Sequence, residues 1–390
     1  MVRANLLSLP RRLAISTSMA LSVALVVCVF AGFLSMAVGF EKALTSAGSP
    51  VVAVILGGGT NQENGSDVPA EVIRAIAAMR GDIGLVRDAA GNLLLSREIV
   101  VPVEVRNGQA ETAKMLALRG MDAAGPFLRD GVTLTAGRLA NAGAREIVVG
   151  DRIAAEFPDL AIGKQMRLGA VDWAVVGQFA PGGSAFDSEL WADLDAVSSA
   201  FDRVGEVQSV RARLEGADLI DKLKAALTSI SPPPLNAVTE VDLYAAQSSG
   251  TANLIRMFGW PLGLLMALGA TAGALNTMMS SVSDRSVEIA TVRALGFGRL
   301  PAFLATWIEA VALASIGIVI GLAASWLVFN GWQASTVGAN NSSMSFQLTM
   351  DGGVMLTAGL LGLAIGILGG AVPAISAARL PLTAALRARG

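Results

Sequence analysis

Residues Leu13 to Phe40 read LAISTSMALSVALVVCVFAGFLSMAVGF, a run of 28 residues without a charged side chain. Two further charge-free runs of 27 residues follow, from Met257 to Ser283 and from Gly352 to Ala378. A fourth apolar stretch, Leu300 to Phe329, is interrupted only by Glu309. Because about 20 apolar helical residues cross a hydrocarbon core about 30 Å thick, these stretches predict four membrane-spanning helices.

The composition agrees with a membrane protein. The mean hydropathy is +0.59, and only 15% of the residues are charged, whereas a soluble chain carries about 25%. Residues 41–250 hold 19 Lys and Arg against 27 Asp and Glu, and the rest of the chain holds 10 against 4. The charge therefore predicts one large acidic domain, inserted between the first and second spans.

The arginines in the short segments between and beside the predicted spans fall on one side. Arg12 precedes the first span, Arg285 and Arg299 lie between the second and third, and Arg379 follows the fourth. Residues 330–350 contain no Lys or Arg. Since short cytoplasmic flanks carry the excess of basic residues, both termini are predicted to be cytoplasmic and the acidic insert to lie outside.

This topology divides the chain into nine segments. They are a cytoplasmic segment 1–12, span 13–40, the outer domain 41–250, span 251–282, a cytoplasmic connection 283–299, span 300–329, an outer loop 330–351, span 352–378 and a cytoplasmic tail 379–390. The N-terminal segment is interpreted as lying on membrane lipid, and the first span as a retained anchor rather than a signal peptide.

The insert reads as an α+β domain, because short apolar runs alternate with glycine-rich turns and a few helical patterns. The predicted strands are 51–56, 98–105, 115–118, 146–149, 165–168, 173–179 and 209–214. The predicted helices are 69–79, 151–156 and 218–227, and 239–249 is predicted to be a helical stalk that leads into the second span.

Several kinds of chemistry are excluded by the residue types. The chain has no histidine, and its one cysteine, Cys28, lies in the first span. These counts remove Ser-His triads, histidine or thiolate metal sites and any disulfide within the chain. A phosphate-binding G-x-x-x-x-G-K-[ST] loop is absent too. We therefore expect a non-catalytic chain with no metal or cofactor of its own, and no nucleic-acid partner.

The connection between the second and third spans has the pattern of a short amphipathic helix. Val287, Ala290 and Ala294 recur at helical spacing, Gly296 suits a helix end, and Pro301 suits the start of the next helix. One interpretation is a solvated, charged connector. The other is a rigid helix that docks on a cytoplasmic partner and passes force to the two spans.

Several motifs resemble the FtsX-like permeases of ABC transporters. The connection contains R-x-x-E-I-x-x-x-R-A-L-G from Arg285 to Gly296, and the chain ends with a P-A…A-A-R-x-x-P…A-L-R pattern that starts at Pro373. The insert resembles the MacB-type periplasmic core domain at four places: Gly137-Arg-Leu139, Arg145 to Gly150, Ile162-Gly163 and Trp173 to Gly177. The resemblance thus covers nearly the whole chain.

This resemblance implies a permease subunit in a bacterial inner membrane. A separate ABC ATPase would bind ATP and hold the connecting helix in a groove, a second copy of the permease would complete a homodimer, and the periplasmic domain would move to export or extract a substrate. A periplasmic adaptor and an outer-membrane channel are further partners by analogy with the family. The residues implied in ATPase coupling are Asp284, Arg285, Glu288, Ile289, Val292, Arg293, Ala294, Leu295 and Gly296.

Four other residues carry predictions. Glu309 is interpreted as bonded to an arginine or a helix end near the inner surface, with dimer contact, force transfer and an ion pathway as alternatives. Asn276 is interpreted as a contact between helices. Phe186 and Trp191 follow the glycines of 181–184 and are either a contact for a periplasmic partner or aromatic rings that pack inward.

Two other functions compete with ATP-driven export. The first is a regulatory module that activates a periplasmic or signalling partner without moving cargo, as FtsX relatives do. The second is an unpowered receptor whose insert only binds. The proteins that co-purify with the chain would separate the three, since an ATPase with an adaptor supports export and a hydrolase or kinase supports regulation.

Overall fold

The computed structural model of the chain describes residues 13–79, 82–106, 113–180, 185–230, 235–337 and 342–381. The predicted segments 1–12 and 382–390 and the loops 181–184 and 231–234 lie outside these residues. The chain divides into two compact units. The helical unit is Met1–Val38, Asn253–Trp332 and Leu348–Gly390, and the insert unit is Gly39–Ala252 and Gln333–Gln347.

Four long apolar helices run through the described part of the chain. They are α1 Leu13–Thr45, α7 Glu240–Asp284, α9 Arg299–Phe329 and α10 Gly352–Arg379. Each is long and apolar enough to cross a membrane. Helices α9 and α10 coincide with the predicted spans to within one residue, whereas α1 and α7 extend well beyond theirs at the ends that join the insert. The short helix α8, Ser286–Ala294, lies between α7 and α9.

Glycine permits the closest helix contacts of the helical unit. A Cβ atom built on Gly366 of α10 would lie 2.3 Å from the Cβ of Ala314 on α9. A Cβ on Gly317 of α9 would lie 2.5 Å from the main-chain oxygen of Ala20 on α1. These helices therefore approach each other at distances that only a residue without a side chain allows.

The insert unit is built on one mixed sheet of ten strands, whose order is β10-β1-β9-β2-β3-β8-β5-β7-β4, with β6 paired to β7. Strands β3 and β8 are parallel, as are β5 and β7, and the other pairs are antiparallel. The strands are β1 Val52–Leu56, β2 Leu95–Arg106, β3 Ala113–Met121, β4 Thr133–Gly137, β5 Glu146–Gly150, β6 Gln165–Leu168, β7 Val171–Ala180, β8 Glu189–Asp193, β9 Ser209–Arg213 and β10 Asn236–Thr239.

One face of this sheet carries the apolar core, beneath the helices of the insert. Alternate residues of β2 such as Ile99 and Val101 pack with Trp173 and with Val197, whereas Ile55 and its neighbours pack elsewhere on the same face. The helices are α2 Ala70–Ala78, α3 Gly125–Leu128, α4 Asp151–Glu156, α5 Leu194–Ala200 and α6 Ile220–Leu227. The predicted α+β domain is confirmed.

Some elements escaped prediction. Strands β4, β8 and β10 and helices α3 and α5 were not expected, and α6 begins at Ile220 rather than residue 218. Residues 330–351, predicted only as a loop, contain a hairpin of β11 Gln333–Val337 and β12 Ser343–Gln347. This hairpin belongs to the insert unit: Phe346 is fully buried 5.4 Å from the ring of Phe40, and the main-chain N–H of Ser345 donates to Ser188 Oγ at 3.0 Å.

Candidate functional site

Helix α8 ends where the sequence predicts. The main-chain N–H groups of Leu295 and Gly296 donate to the carbonyls of Thr291 and Arg293 at 3.1 Å each. Gly296 has φ +105°, a conformation that a residue with a side chain adopts only with strain. The chain therefore turns sharply at Gly296 and enters α9 at Arg299.

One side of α8 is anchored inside the helical unit. Arg285, immediately before the helix, is 3% exposed, and its Nη2 donates to Glu309 Oε2 on α9 at 2.7 Å. Ile289 packs among apolar residues of α7, α9 and α10. Arg293 Nη1 donates to the main-chain oxygen of Leu380, just past α10, at 2.7 Å. Three neighbouring helices thus fix the position of α8.

The other side of α8 is exposed and ends in apolar side chains. Leu295 is 77% exposed, Leu300 is 66% exposed and Phe297 is 49% exposed. Glu288 is exposed on the helix itself. We call Glu288, Leu295, Phe297 and Leu300 the α8 surface. Exposed large apolar side chains grouped at a helix end are typical of a contact surface.

The nine residues predicted for ATPase coupling divide between these two sides. Those on the exposed side are Asp284, Glu288, Ala294, Leu295 and Gly296, whereas Val292 and Arg293 are half-buried. Arg285 and Ile289 are buried, so a direct contact between either side chain and a partner does not fit the structure, and both instead hold the helix in place. Phe297 and Leu300 were missed, although two large apolar residues beside a Gly-x-Gly turn were the available signal.

The polar residues predicted inside the spans have different surroundings. Glu309 is 3% exposed and bonded to Arg285, which is the arginine partner that the sequence analysis proposed. Asn276 lies on the exposed side of α7. The predicted contact of Asn276 with another helix is therefore one that a second chain would have to provide.

Phe186 and Trp191 lie inside the insert. Phe186 is 3% exposed and Trp191, in β8, is 2% exposed. Trp191 stacks on Phe179 with 3.8 Å between ring centroids, and Arg129 lies 5.2 Å from both the Phe186 and the Trp191 ring. Both side chains pack inward, which is the second of the two alternatives. The interpretation as a partner contact is therefore wrong for them.

A cluster of buried charges on the sheet face opposite the apolar core was not predicted. Each of its arginines and glutamates is at most 8% exposed, and we call the group the charge cluster. Arg119 lies in β3 and Arg211 in β9, and in the sequence each resembles the outward-facing charge of an ordinary half-exposed strand. The members are Arg119, Arg129, Arg211, Glu63, Glu98, Glu189 and Glu240.

Two carboxylates of the charge cluster, Glu63 and Glu98, favour their ionised form. Burial by itself would raise the pKa of Glu63, but the positive charges of Arg119 and Arg211 outweigh it and hold that pKa well below its ordinary value. Burial and the three arginines oppose each other in the same way at Glu98, whose pKa is also lowered. Within the described residues, no group of His, Cys, Asp and Glu is arranged to hold a metal ion. The arginines therefore supply the compensating charge.

Two family models match the chain. The model described as "MacB-like periplasmic core domain" matches residues 16–230, and the model described as "FtsX-like permease C-terminal" matches residues 262–382. The first match covers most of α1 and most of the insert. The second covers about half of α7 and all of α8, α9 and α10.

Individual relatives are more distant. A macrolide export ATP-binding/permease protein MacB from Bordetella avium (strain 197N) is 26% identical over 230 residues, which are 56% of this chain and 34% of the relative. Its counterpart in Photorhabdus laumondii is 23% identical over 235 residues, 58% of this chain and 35% of the relative. The chain spans about a third of the length of these relatives. The crystal structure of the periplasmic region of MacB from Actinobacillus actinomycetemcomitans matches 52% of this chain and 95% of its own, with a TM-score of 0.37 and 11% identity.

Proposed function

The chain belongs to the family of MacB/FtsX-type permeases of ABC transporters, and on this premise we propose that it is a membrane subunit moved by a separate ATPase. Proteins of this family are bacterial inner-membrane proteins with a periplasmic domain, which is the insert unit here. The observation that carries the proposal is the α8 surface, an exposed apolar surface on a helix that is anchored at Arg285, Ile289 and Arg293.

The proposed topology has four spans, with both termini and α8 in the cytoplasm. The hairpin β11–β12 supports it, because this connection between α9 and α10 packs within the insert unit and therefore lies on the periplasmic side. Helix α8 is at the other end of α7 and α9. The basic residues Arg285 and Arg299 lie beside α8, as expected of a cytoplasmic connection.

The α8 surface is proposed to bind the ATPase, which would bind the ATP. A helix anchored on one side by charged and apolar contacts moves with α7, α9 and α10, so force applied at Leu295 and Phe297 reaches the spans. A solvated connector, the competing interpretation, gives no reason for three large apolar side chains to stand exposed beside Gly296.

The movement is proposed to reach the periplasm through α1 and α7. At about 1.5 Å per residue, the 45 residues of α7 and the 33 residues of α1 are about 68 Å and about 50 Å long. Both exceed the hydrocarbon thickness of about 30 Å. The helices therefore extend beyond the membrane into the residues of the insert, and a periplasmic output needs no polar pore.

A homodimer is proposed on the exposed side of α7. A Cβ atom built on Gly269 or Gly273 would meet no atom within 4 Å, whereas most glycines of α9 and α10 are in close contact with neighbouring helices. Asn276 is exposed on the same helix. Small residues and an amide group suit the close approach of a helix from a second copy.

The output is proposed to be export or extraction of a substrate at the periplasmic side, by mechanical movement of the insert. The name of the MacB relatives, macrolide export proteins, supports export as the class of activity. A periplasmic adaptor and an outer-membrane channel are proposed as further partners. Mass spectrometry of the proteins that co-purify with the full-length chain tests these partners, and a cell-wall hydrolase or sensor kinase in place of an adaptor would contradict export.

The ATPase contact is tested with the variant Leu295→Glu. Leu295 is 77% exposed, so a charge there leaves the fold intact and opposes an apolar contact. The tagged full-length chain is purified with its bound partners, and the co-purifying ATP hydrolysis is measured per mole of chain. We expect a loss of about tenfold or more, as for one anchor residue of an interface.

The matched control is Phe127→Glu, which places the same charge on a side chain that is 70% exposed in the insert. This variant should keep the full ATPase activity. Wild-type levels of co-purified ATPase in Leu295→Glu, or an equal loss in both variants, would contradict the proposed docking at α8.

A further inference from the structure

Helix α7 begins inside the insert unit at Glu240, a fully buried glutamate. Its Oε1 accepts a hydrogen bond from Arg211 Nε on β9 at 3.0 Å. Its Oε2 accepts from the main-chain N–H of Ser49 at 3.1 Å, four residues after the end of α1. One carboxylate thus joins the exit of α1, the start of α7 and a central strand of the sheet.

The two helix ends also meet through their backbones. A Cβ atom built on Gly48 would lie 2.7 Å from the Cα of Val241 and 2.8 Å from its nitrogen. Contact this close leaves no room for a side chain at position 48. Displacement of the start of α7 therefore displaces the residues that follow α1.

Arg211 carries the connection into the sheet. Its Nη1 donates to Glu63 at 2.8 Å and also bonds to Glu98 on β2, and its Nη2 donates to the Tyr244 hydroxyl on α7 at 3.0 Å. Arg119 on β3 then binds Glu63 at 2.9 Å, Glu98 at 3.0 Å and Glu189 of β8 at 2.7 Å. The charge cluster therefore links four adjacent strands to the first turns of α7.

Buried ion pairs are a poor means of gaining stability, because removing two charges from water offsets most of their attraction. They do fix the relative positions of the groups that they join. Breaking one of these bonds inside the protein leaves a charge without a partner, which costs much free energy. If α7 shifted or rotated alone, Glu240 would lose both Arg211 and Ser49. If β9 and the residues that follow α1 moved together with α7, all of these bonds would be kept.

From this arrangement we propose that Glu240 is the positioning residue through which movement of α7 is passed to the sheet of the insert. We call Gly48, Ser49, Arg211, Glu240 and Tyr244 the Glu240 joint. The inference rests on the proposed function, since it assumes that an ATPase moves α7. It adds the place where that movement enters the periplasmic domain, and the residue on which the transfer depends.

The test uses Glu240→Gln in the full-length chain, with Glu63→Gln as the matched control. Both residues are buried carboxylates bonded to Arg211, at 0% and 1% exposure. Only Glu240 is bonded to the residues that follow α1 and belongs to α7. A glutamine at 240 has the same shape but cannot accept from Arg211 and Ser49 with both terminal atoms.

The first readout is amide hydrogen exchange of each purified chain without nucleotide. Glu240→Gln should raise exchange about tenfold or more in residues 46–52 and 240–246, as expected for the loss of a hydrogen bond to a charged group. Glu63→Gln should leave those residues near wild type and affect its own loop and β9. Unchanged exchange at both ends of the joint in Glu240→Gln would overturn the proposal.

The second readout is the change that ATP with vanadate causes in the exchange of the insert, in the complex with the co-purified ATPase. We expect this change to fall at least threefold in Glu240→Gln and to persist in Glu63→Gln, with ATP hydrolysis unchanged in both. Transfer retained in Glu240→Gln, or lost equally in Glu63→Gln, would overturn the role of Glu240 and leave the proposed function standing. No nucleotide response in the wild type would instead overturn the proposed function, and the role of Glu240 with it.

Discussion

The two ends of α7 are both held by buried charges, but in different ways. At one end Arg285, the residue after the helix, binds the single carboxylate of Glu309 at 2.7 Å. At the other end Glu240, the first residue of the helix, binds Arg211, which itself has further carboxylate partners in Glu63 and Glu98. The first attachment is an ion pair between two side chains, whereas the second connects several arginines and carboxylates.

This difference indicates how each end responds to change. When one partner of a buried ion pair is removed, the charge of the other loses its opposite charge inside the protein. In a network the remaining charges keep their partners, so stability falls less while the geometry at one contact is lost. We therefore expect substitutions at the α8 end to lower the stability of the chain, and substitutions at the insert end to weaken the transfer of movement to the sheet.

The largest expected effect is at the Arg285–Glu309 pair. Glu309→Ala should lower the free energy of unfolding by about 3–5 kcal/mol, the cost of leaving one buried charge unpaired. Thermal unfolding of the full-length chain in detergent measures this. The double variant Arg285→Ala, Glu309→Ala should be less destabilised than the sum of the two single variants. Strict additivity would show that the two side chains do not stabilise each other.

A smaller stability effect is expected in the network. Glu240→Gln should cost about 1.5–3 kcal/mol, the contribution of hydrogen bonds to a charged group, because Arg211 keeps Glu63, Glu98 and Tyr244. The same thermal unfolding assay applies. The control Glu104→Gln removes a carboxylate from an exposed ion pair with Arg106 and should leave the midpoint unchanged. If Glu240→Gln destabilised the chain more than Glu309→Ala, the contrast between the charge cluster and the Arg285–Glu309 pair would be wrong.

The smallest effect on stability is expected from mild acidification, between about pH 7 and pH 5. The pKa values of Glu63 and Glu98 are lowered in the folded insert, so their contribution is complete above the unfolded pKa of about 4.3. Stability is lost as the pH falls through the folded values. The unfolding midpoint should be constant from about pH 7 to pH 5 and fall below that. Fluorescence of Trp173 and Trp191, both buried in the insert, can follow it.

Glu63→Gln provides the check on this assignment. With one of the two depressed carboxylates removed, the dependence on pH below 5 should be shallower than in the wild type. A wild-type midpoint that rises on acidification would show that the cluster is not stabilised by its ionised form.

Much of the helical unit follows from the sequence alone. Runs of apolar residues fix α9 and α10 to within one residue, since a helix that spans a membrane must be apolar along its length. The predicted stalk 239–249 is confirmed, since α7 begins at Glu240. The five residues by which α1 continues past Phe40 to Thr45 lie outside the predicted span and are of ordinary polarity.

The charge cluster could not be predicted for a different reason. Arg119, Arg211 and Glu98 lie in three different strands, and at least 20 residues lie between each and the next along the chain. Only the strand order β9-β2-β3-β8 places them side by side. The same strand order explains why β8 was missed. In the sequence a glutamate such as Glu189 is typical of a loop, but in the structure Arg119 compensates its charge in the interior.

The α8 end was more accessible to sequence reasoning. The pattern from Arg285 to Gly296 predicts the helix and its end, and an arginine partner for Glu309 was expected. The pattern does not predict which residues of α8 face outward, because their exposure depends on where the ends of α7, α9 and α10 lie. Arg285 and Ile289 are therefore anchors, and Phe297 and Leu300 join the exposed surface.

The most direct measurement is the sidedness of the two regions that α7 connects. With the only cysteine removed by Cys28→Ala, Leu295→Cys and Val204→Cys each place a single thiol at a side chain that is 77% or 79% exposed. A membrane-impermeant maleimide should label position 204 in intact spheroplasts and position 295 only after permeabilisation. Labelling of both positions to the same extent in intact spheroplasts would contradict a helix that carries cytoplasmic force to a periplasmic domain.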